Sequence, residues 1–435
     1  MVISTLETPQ IDEEKANKIY FRKFLIYWIG QIVSLIGSSI VMFVLVWELT
    51  EIAGNNNTIL SVAMFVGFVP SIVFLPLAGV ISDRFDKRKL IILFDSLQAF
   101  FTFILIPIMW FTDLQIWHIF VVNFLRGTCQ AFHSPTSFSL TTLLVPKDKL
   151  SRVNGLNYLA SGLVNSIGPV IGAFLMIYFA TSMILWLDGI TFFIALFGVL
   201  QLRLPPTTTS QKSSTAEDKS KKKISFGSSF REGIQTLRGI PGLMSIIMMA
   251  TLTNFLMQPR SILLPNFIKY VHSGSKENLA LYFALSQGAI FFGAVITTLV
   301  KKWKRPLFWI SLGMFTSSIG LILLGTVPEG NLTMLFMIPF PMMVLNPIIN
   351  AIFLTMIQFL IPQEKMGRVS AVLMMLSSIA SPIGMLTAGP LADVLGSINL
   401  LYIIYGILSI FVITFTLYRK NSLELMKKTN DELIK

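Results

Sequence analysis

The sequence predicts an all-α membrane protein with twelve transmembrane helices in two pseudo-symmetric six-helix bundles. Three observations predict it. Of 435 residues, 54% are apolar and only 13% charged, far from the average of a soluble chain. The apolar residues gather into twelve runs, each near the roughly twenty residues that cross a bilayer as a helix. Finally, a decapeptide recurs half a chain apart: Leu144-Val145-Pro146-Lys147-Asp148-Lys149-Leu150-Ser151-Arg152-Val153 lies over Leu360-Ile361-Pro362-Gln363-Glu364-Lys365-Met366-Gly367-Arg368-Val369, 216 residues on. The short alternating strands of a membrane β-barrel do not occur.

Taken in order, residues 1–23 are polar and read as a tail. The first bundle, 24–202, holds spans at 24–49, 59–81, 90–110, 116–140, 153–179 and 184–202. Residues 203–242 form a linker whose Pro/Thr/Ser/Lys-rich first half predicts a flexible chain. In its second half Phe226, Phe230, Ile234 and Leu237 share one helical face, which suits an amphipathic helix on the membrane surface. The second bundle, 243–418, holds spans at 243–268, 279–300, 306–327, 334–360, 369–392 and 398–418, and 419–435 is a second tail. The polar start and the length of the first run predict a retained span rather than a cleaved signal.

The net charge of +12 invites a nucleic-acid reading, which its distribution excludes. Of the 34 Lys and Arg, all except Arg126, Arg260, Lys269 and Lys276 lie in the tails or in alternate loops that share one side. The positive-inside rule then puts both termini in the cytoplasm, and the basicity reports topology in a lipid bilayer. Cys129 is the single cysteine, so no internal disulfide or thiol metal site is expected. His118, His133 and His272 lack metal-ligand spacing, and no phosphate-binding glycine loop is present. No cofactor, metal or catalytic residue is expected.

An ionisable side chain deep in a bilayer is costly unless paired or wet, so each is a functional candidate. Arg126 lies about 15 Å into its span and Asp95 about 7 Å. Glu48 closes the first span and Arg260 lies toward the far end of the seventh. Asp188, four residues into the sixth, reads as a cap or anchor. The densest charge is the turn Gly79-Val80-Ile81-Ser82-Asp83-Arg84-Phe85-Asp86-Lys87-Arg88-Lys89. Its bases suit a membrane anchor; Asp83 adds nothing to anchoring and points to a switch.

These residues resemble the major facilitator superfamily of transporters, and within it the bacterial macrolide-efflux drug:proton antiporters, over nearly the whole chain. The first span, Trp28-Ile29-Gly30-Gln31-Ile32-Val33-Ser34-Leu35, is similar to theirs. Gly79, Asp83, Arg84, Lys87 and Arg88 stand where the superfamily's loop 2–3 motif has its switch residues, with Asp86 replacing the usual Gly. The counterpart turn, Lys301-Lys302-Trp303-Lys304-Arg305, lacks the acid, which implies that the first copy carries the switch, with Gly367 as its neighbour. Arg126 resembles the fourth-helix arginine of the proton pathway. Gly168, Pro169 and Gly172 resemble the fifth-helix antiporter motif, with Val164 where a further glycine is usual.

The resemblance implies a non-enzymatic secondary active efflux transporter of the plasma membrane, a monomer working by alternating access. It would export a hydrophobic or amphipathic small molecule, macrolides among the candidates, in exchange for protons. Gln31, Asp95, Arg126, Glu48 and Arg260 are the expected proton and substrate pathway, with Asp95 as proton carrier and Glu48 meeting Arg260 as an outer gate. Export of a native metabolite, siderophore or lysolipid is the alternative, and a non-transporting receptor or scaffold a more distant one.

Overall fold

The computed structural model describes residues 10–202, 226–300 and 303–419, and all regular structure among them is helical. Two compact units form. Unit 1 comprises Met1–Glu48 and Val66–Gln211; unit 2 comprises Leu49–Phe65 and Lys212–Lys435.

The first helix, α1 (Gln10–Ala53), starts inside the segment read as a tail, where Glu, Lys and Ala favour helix. The second predicted span is broken into α2 (Asn57–Val73) and α3 (Leu75–Arg84), bent by 49°. Pro70 and Pro76 each remove a backbone donor there. Next, α4 (Lys87–Phe111) begins three residues before the predicted span, because Asp86 Oδ1 accepts from Lys89 N at 3.0 Å as N-cap. Asp86, the departure from the loop motif, therefore starts a helix. Then come α5 (Ile116–Leu144), α6 (Lys147–Tyr178), the single turn α7 (Thr181–Ile184) and α8 (Trp186–Leu200).

In unit 2, α9 (Phe226–Arg238) meets α10 (Leu243–Asn266) at a 111° bend. Gly242 makes the corner at φ +82°, a conformation that favours glycine. One π-helical stretch (Phe267–Val271) extends α10, followed by α11 (Lys276–Leu299) and α12 (Pro306–Thr326). The tenth predicted span is broken at its prolines into α13 (Leu332–Met337), α14 (Pro339–Met343) and α15 (Asn346–Leu360). The chain then forms α16 (Gln363–Leu395) and α17 (Ile398–Tyr418).

Eight helical stretches are long and apolar enough to cross a membrane, and the two bent pairs bring ten. α5 and α16, of 29 and 33 residues, have the length to span and carry more polar side chains. Large apolar residues such as Phe193, Phe197, Leu299 and Val394 are exposed, a surface that lipid rather than water would cover. The core of unit 1 gathers Phe24, Tyr27, Ile91, Leu140 and Val199; that of unit 2 gathers Ile246, Ile310, Met356 and Ile413.

The amphipathic helix α9 packs part of its apolar face on protein. On α9, Leu237 is fully buried in the core of unit 2 with Ile234 packed beside it. Gly233 backs onto the Arg368 carbonyl, and Arg368 pairs with Glu232. Ile234 and Leu237 are thus spent on α16 and its neighbours. The side chains of Phe226 and Phe230, and the flexible-linker expectation for 203–225, lie outside the described residues.

Candidate functional site

Three helices of unit 1 carry polar residues seven apart: Gln31 and Ser38 on α1, Asp95 and Thr102 on α4, Arg126 and His133 on α5. Seven residues are two turns, about 10 Å along one face. Packed together, they make two polar layers in an otherwise apolar bundle.

One layer is an ion pair. Arg126 Nη1 lies 2.5 Å from Asp188 Oδ2 and also donates to Thr102 Oγ1. Thr102 Oγ1 donates to Asp188 Oδ2 at 2.6 Å, and Ser38 Oγ to Asp188 Oδ1 at 3.0 Å. Asp188 is 3% exposed, so both oxygens of a buried carboxylate are satisfied. The reading of Asp188 as a cap or anchor is corrected: it is the counterion of Arg126. Neither charge is tolerable there alone, because a buried ion stripped of its partner costs several kcal/mol.

The other layer holds Asp95. Gln31 Nε2 donates to Asp95 Oδ2 at 2.9 Å, and His133 Nε2 stands 3.2 Å from Asp95 Oδ1. Both members of the second contact are more than nine-tenths buried. One turn further along α1 and α5, Tyr27 Oη and Ser137 Oγ share a hydrogen bond of 2.9 Å. A cavity between the layers is lined by Gln31, Ser38, Asp95, His133 and Asp188, with Ser34, Gln98, Gln130 and Phe192 among the rest of its wall.

The two carboxylates thus differ in kind. Asp188 faces a guanidinium whose charge is permanent. Asp95 faces an imidazole, whose charge a single proton changes. His133, read as an isolated histidine, belongs to the site, and its seven-residue spacing from Arg126 was the available signal.

Gly168 and Gly172 act through close approach. A Cβ on Gly168 would stand 2.1 Å from Ser39 Oγ, and one on Gly172 would stand 2.9 Å from the Phe43 ring. Both contacts set α6 against α1, the helix that carries Gln31 and Ser38. Pro169 lies inside α6 between them.

In the charged turn, Lys87 Nζ donates to Ser82 O at 3.1 Å and Arg88 Nη2 to Leu200 O at 2.6 Å, closing the end of α8. Asp83 and Arg84 are exposed, and Gly79 has open space around it. Gly367 falls near the start of α16. Glu48 accepts from Thr181 Oγ1 in unit 1, whereas Arg260 lies in unit 2 beside Met343.

One polar cluster of unit 2 escaped the sequence reading. Asp393, near the end of α16, caps the start of α2. Its Oδ1 accepts from Asn57 N at 3.2 Å and Asn57 Nδ2 at 2.8 Å; its Oδ2 accepts from Thr58 N at 2.8 Å and Thr58 Oγ1 at 2.6 Å. Asn266 Nδ2 adds a bond of 2.9 Å to Asn57 Oδ1.

The comparisons with known proteins agree with this architecture. A bacterial homologue of the iron transporter ferroportin, solved in an inward-facing state, superposes with a TM-score of 0.66 at 15% identity, covering 92% of this chain and 99% of that one. Macrolide efflux protein A of Streptococcus pyogenes is 27% identical over 391 residues, 90% of this chain and 94% of the relative. Multidrug efflux pump Tap of Mycolicibacterium fortuitum is 22% identical over 402 residues, 85% and 95% of the two chains. The family profile described as Major Facilitator Superfamily matches residues 27–385, and this chain belongs to that superfamily of membrane transporters.

Proposed function

We propose that the protein is a secondary active exporter of hydrophobic or amphipathic small molecules, driven by inward protons and working by alternating access. The observation that carries this reading is Asp95, buried between Gln31 and His133 on a cavity that Asp188 also lines. Its partners are an amide and an imidazole, neither a permanent counter-charge, and a low-dielectric bundle resists leaving such a carboxylate charged. Asp95 therefore takes a proton when its layer dries and yields it when the cavity is wet or filled. Proton occupancy then biases one conformation over the other, as any ligand with unequal affinity for two states does.

The remaining residues have roles that follow from chemistry. Gln31 orients the carboxylate through Oδ2. His133 shares the proton on the Oδ1 side. Arg126 and Asp188, with Thr102 between them, hold α4, α5 and α8 in register. Both termini lie in the cytoplasm, and Asp83 latches the cytoplasmic side when it closes. Each elementary charge moved across the membrane supplies about 2.3 kcal/mol per 100 mV, enough to drive uphill export.

The relatives named for macrolide and multidrug efflux make macrolides the first compounds to test. In inside-out vesicles energised with a proton gradient, a radiolabelled macrolide should accumulate. A protonophore should abolish the accumulation, and Asp95→Asn should uncouple it. Accumulation that survives the protonophore unchanged would refute proton exchange. A scan in which no compound dissipates the gradient or accumulates would refute the exporter reading.

A further inference from the structure

The cavity between the two polar layers of unit 1 has a wall rich in acceptors. Gln31 Nε2 donates to Asp95 Oδ2, and Gln130 Nε2 donates to Ser134 Oγ at 3.0 Å. The amide oxygens of both glutamines remain as acceptors. Ser38 gives its hydroxyl hydrogen to Asp188 Oδ1 and keeps its lone pairs. His133 Nε2 is buried 3.2 Å from Asp95 Oδ1, yet no hydrogen bond forms there. Asp95 Oδ1 thus accepts from no donor among the described residues.

The charge on this wall is uneven. Asp95 and Asp188 both line the cavity, and Arg126, which answers Asp188, is not among the lining residues. Asp95 has no such permanent cation beside it. A single uncompensated carboxylate among neutral oxygens matches a monovalent cation. Space and ligand chemistry narrow the choice further. The cavity has room for about one water-sized body, which excludes bulky organic cations. Carboxylate, amide and hydroxyl oxygens suit hard cations, and such oxygens can replace the hydration shell of an alkali ion. Among the described residues no three His, Cys, Asp or Glu side chains converge, so a divalent or transition-metal ion lacks the ligands it needs.

We propose that Gln31, Ser38, Asp95 and Gln130 form a binding site for a small alkali cation, sodium or lithium, with Asp95 as its counter-charge. The site goes beyond the exporter reading and does not rest on it, because the binding needs neither cargo nor a gradient.

The probe is radiolabelled sodium, measured on purified protein in a maltoside detergent at fixed pH, with choline chloride holding the ionic strength constant. Wild type should show saturable binding that lithium displaces and choline does not. Asp95→Asn keeps the shape and should lose affinity by about tenfold or more, the size of one charge-assisted contact. Gln31→Leu and Gln130→Leu should each weaken binding by less. Asp83→Asn removes an exposed acid elsewhere and should bind as wild type does. Absence of saturable sodium binding in wild type would leave the cavity to water and overturn the site. Undiminished binding in Asp95→Asn, or equal loss in Asp95→Asn and Asp83→Asn, would overturn it as well. Failure here would leave proton exchange standing, and failure of the vesicle experiment would leave this site standing.

Discussion

Arg126 Nη1 and Asp188 Oδ2 stand 2.5 Å apart inside unit 1, joining residues that lie 62 positions apart in the chain. The pair is held by Thr102 and Ser38, so it is a finished network rather than a chance approach. Removing one member leaves the other charge buried. Asp188→Asn should therefore destabilise the protein by about 3–5 kcal/mol, read as a lowered melting temperature in detergent. Arg126→Gln should do the same. The exchange Arg126→Asp with Asp188→Arg should recover part of the stability, which either single change cannot.

Asp95 and His133 should separate from that pair by what their loss does. Asp95→Asn keeps the shape and the Gln31 contact geometry while removing the proton site. It should leave the melting temperature near wild type and make uptake into inside-out vesicles insensitive to the gradient. His133→Gln should keep transport but move its pH profile, because the imidazole is the neighbour of Asp95 at 3.2 Å. An unmoved profile in His133→Gln would remove the imidazole from the pathway.

The Asp393 cap should govern local opening at the start of α2. Asp393→Ala deletes the acceptor of four hydrogen bonds. Loss of a helix N-cap costs about 0.5–2 kcal/mol. Hydrogen exchange at residues 57–61 should accelerate by about the corresponding factor of two to thirty, while exchange in α12 and α17 stays unchanged.

Gly168→Ala should cost about 1–3 kcal/mol, the usual penalty of overpacking, because the new methyl would meet Ser39 Oγ. Ser39→Gly should relieve it, and a double-mutant cycle on melting temperature would measure the coupling. Additive effects would show that the two helices can move apart at no cost.

Asp83 is exposed, so its neutralisation should not touch stability. Asp83→Asn should leave membrane insertion and melting unchanged and cut transport. A wild-type rate in this variant would reduce the charged turn to an anchor.

Much of the fold was legible because a bilayer permits few solutions. With no water to satisfy backbone groups, each apolar run must be a helix, and run length alone then sets the count. Where proline interrupts a run, the outcome depends on neighbours. Pro169 is carried inside a continuous α6, whereas Pro339 and Pro341 mark a broken stretch. The loop motif did not show that Asp86 would start α4 or that Arg88 would close α8.

What the sequence alone determined was a helical membrane protein with motifs that resemble this superfamily, and Arg126, Asp95, Asp188, Glu48 and Arg260 as the charges in or at the ends of its spans. Those follow from composition, periodicity and local motif, which are properties of neighbouring residues. The tertiary structure decided the partners: Asp188 for Arg126, His133 and Gln31 for Asp95, Asn57 and Thr58 for Asp393. Helical periodicity fixes which residues share a face, but not which face of which distant helix it will meet. That choice is made by packing between helices, where Gly168 and Gly172 bring α6 against α1. It turns polar residues seven apart on separate helices into one layered site.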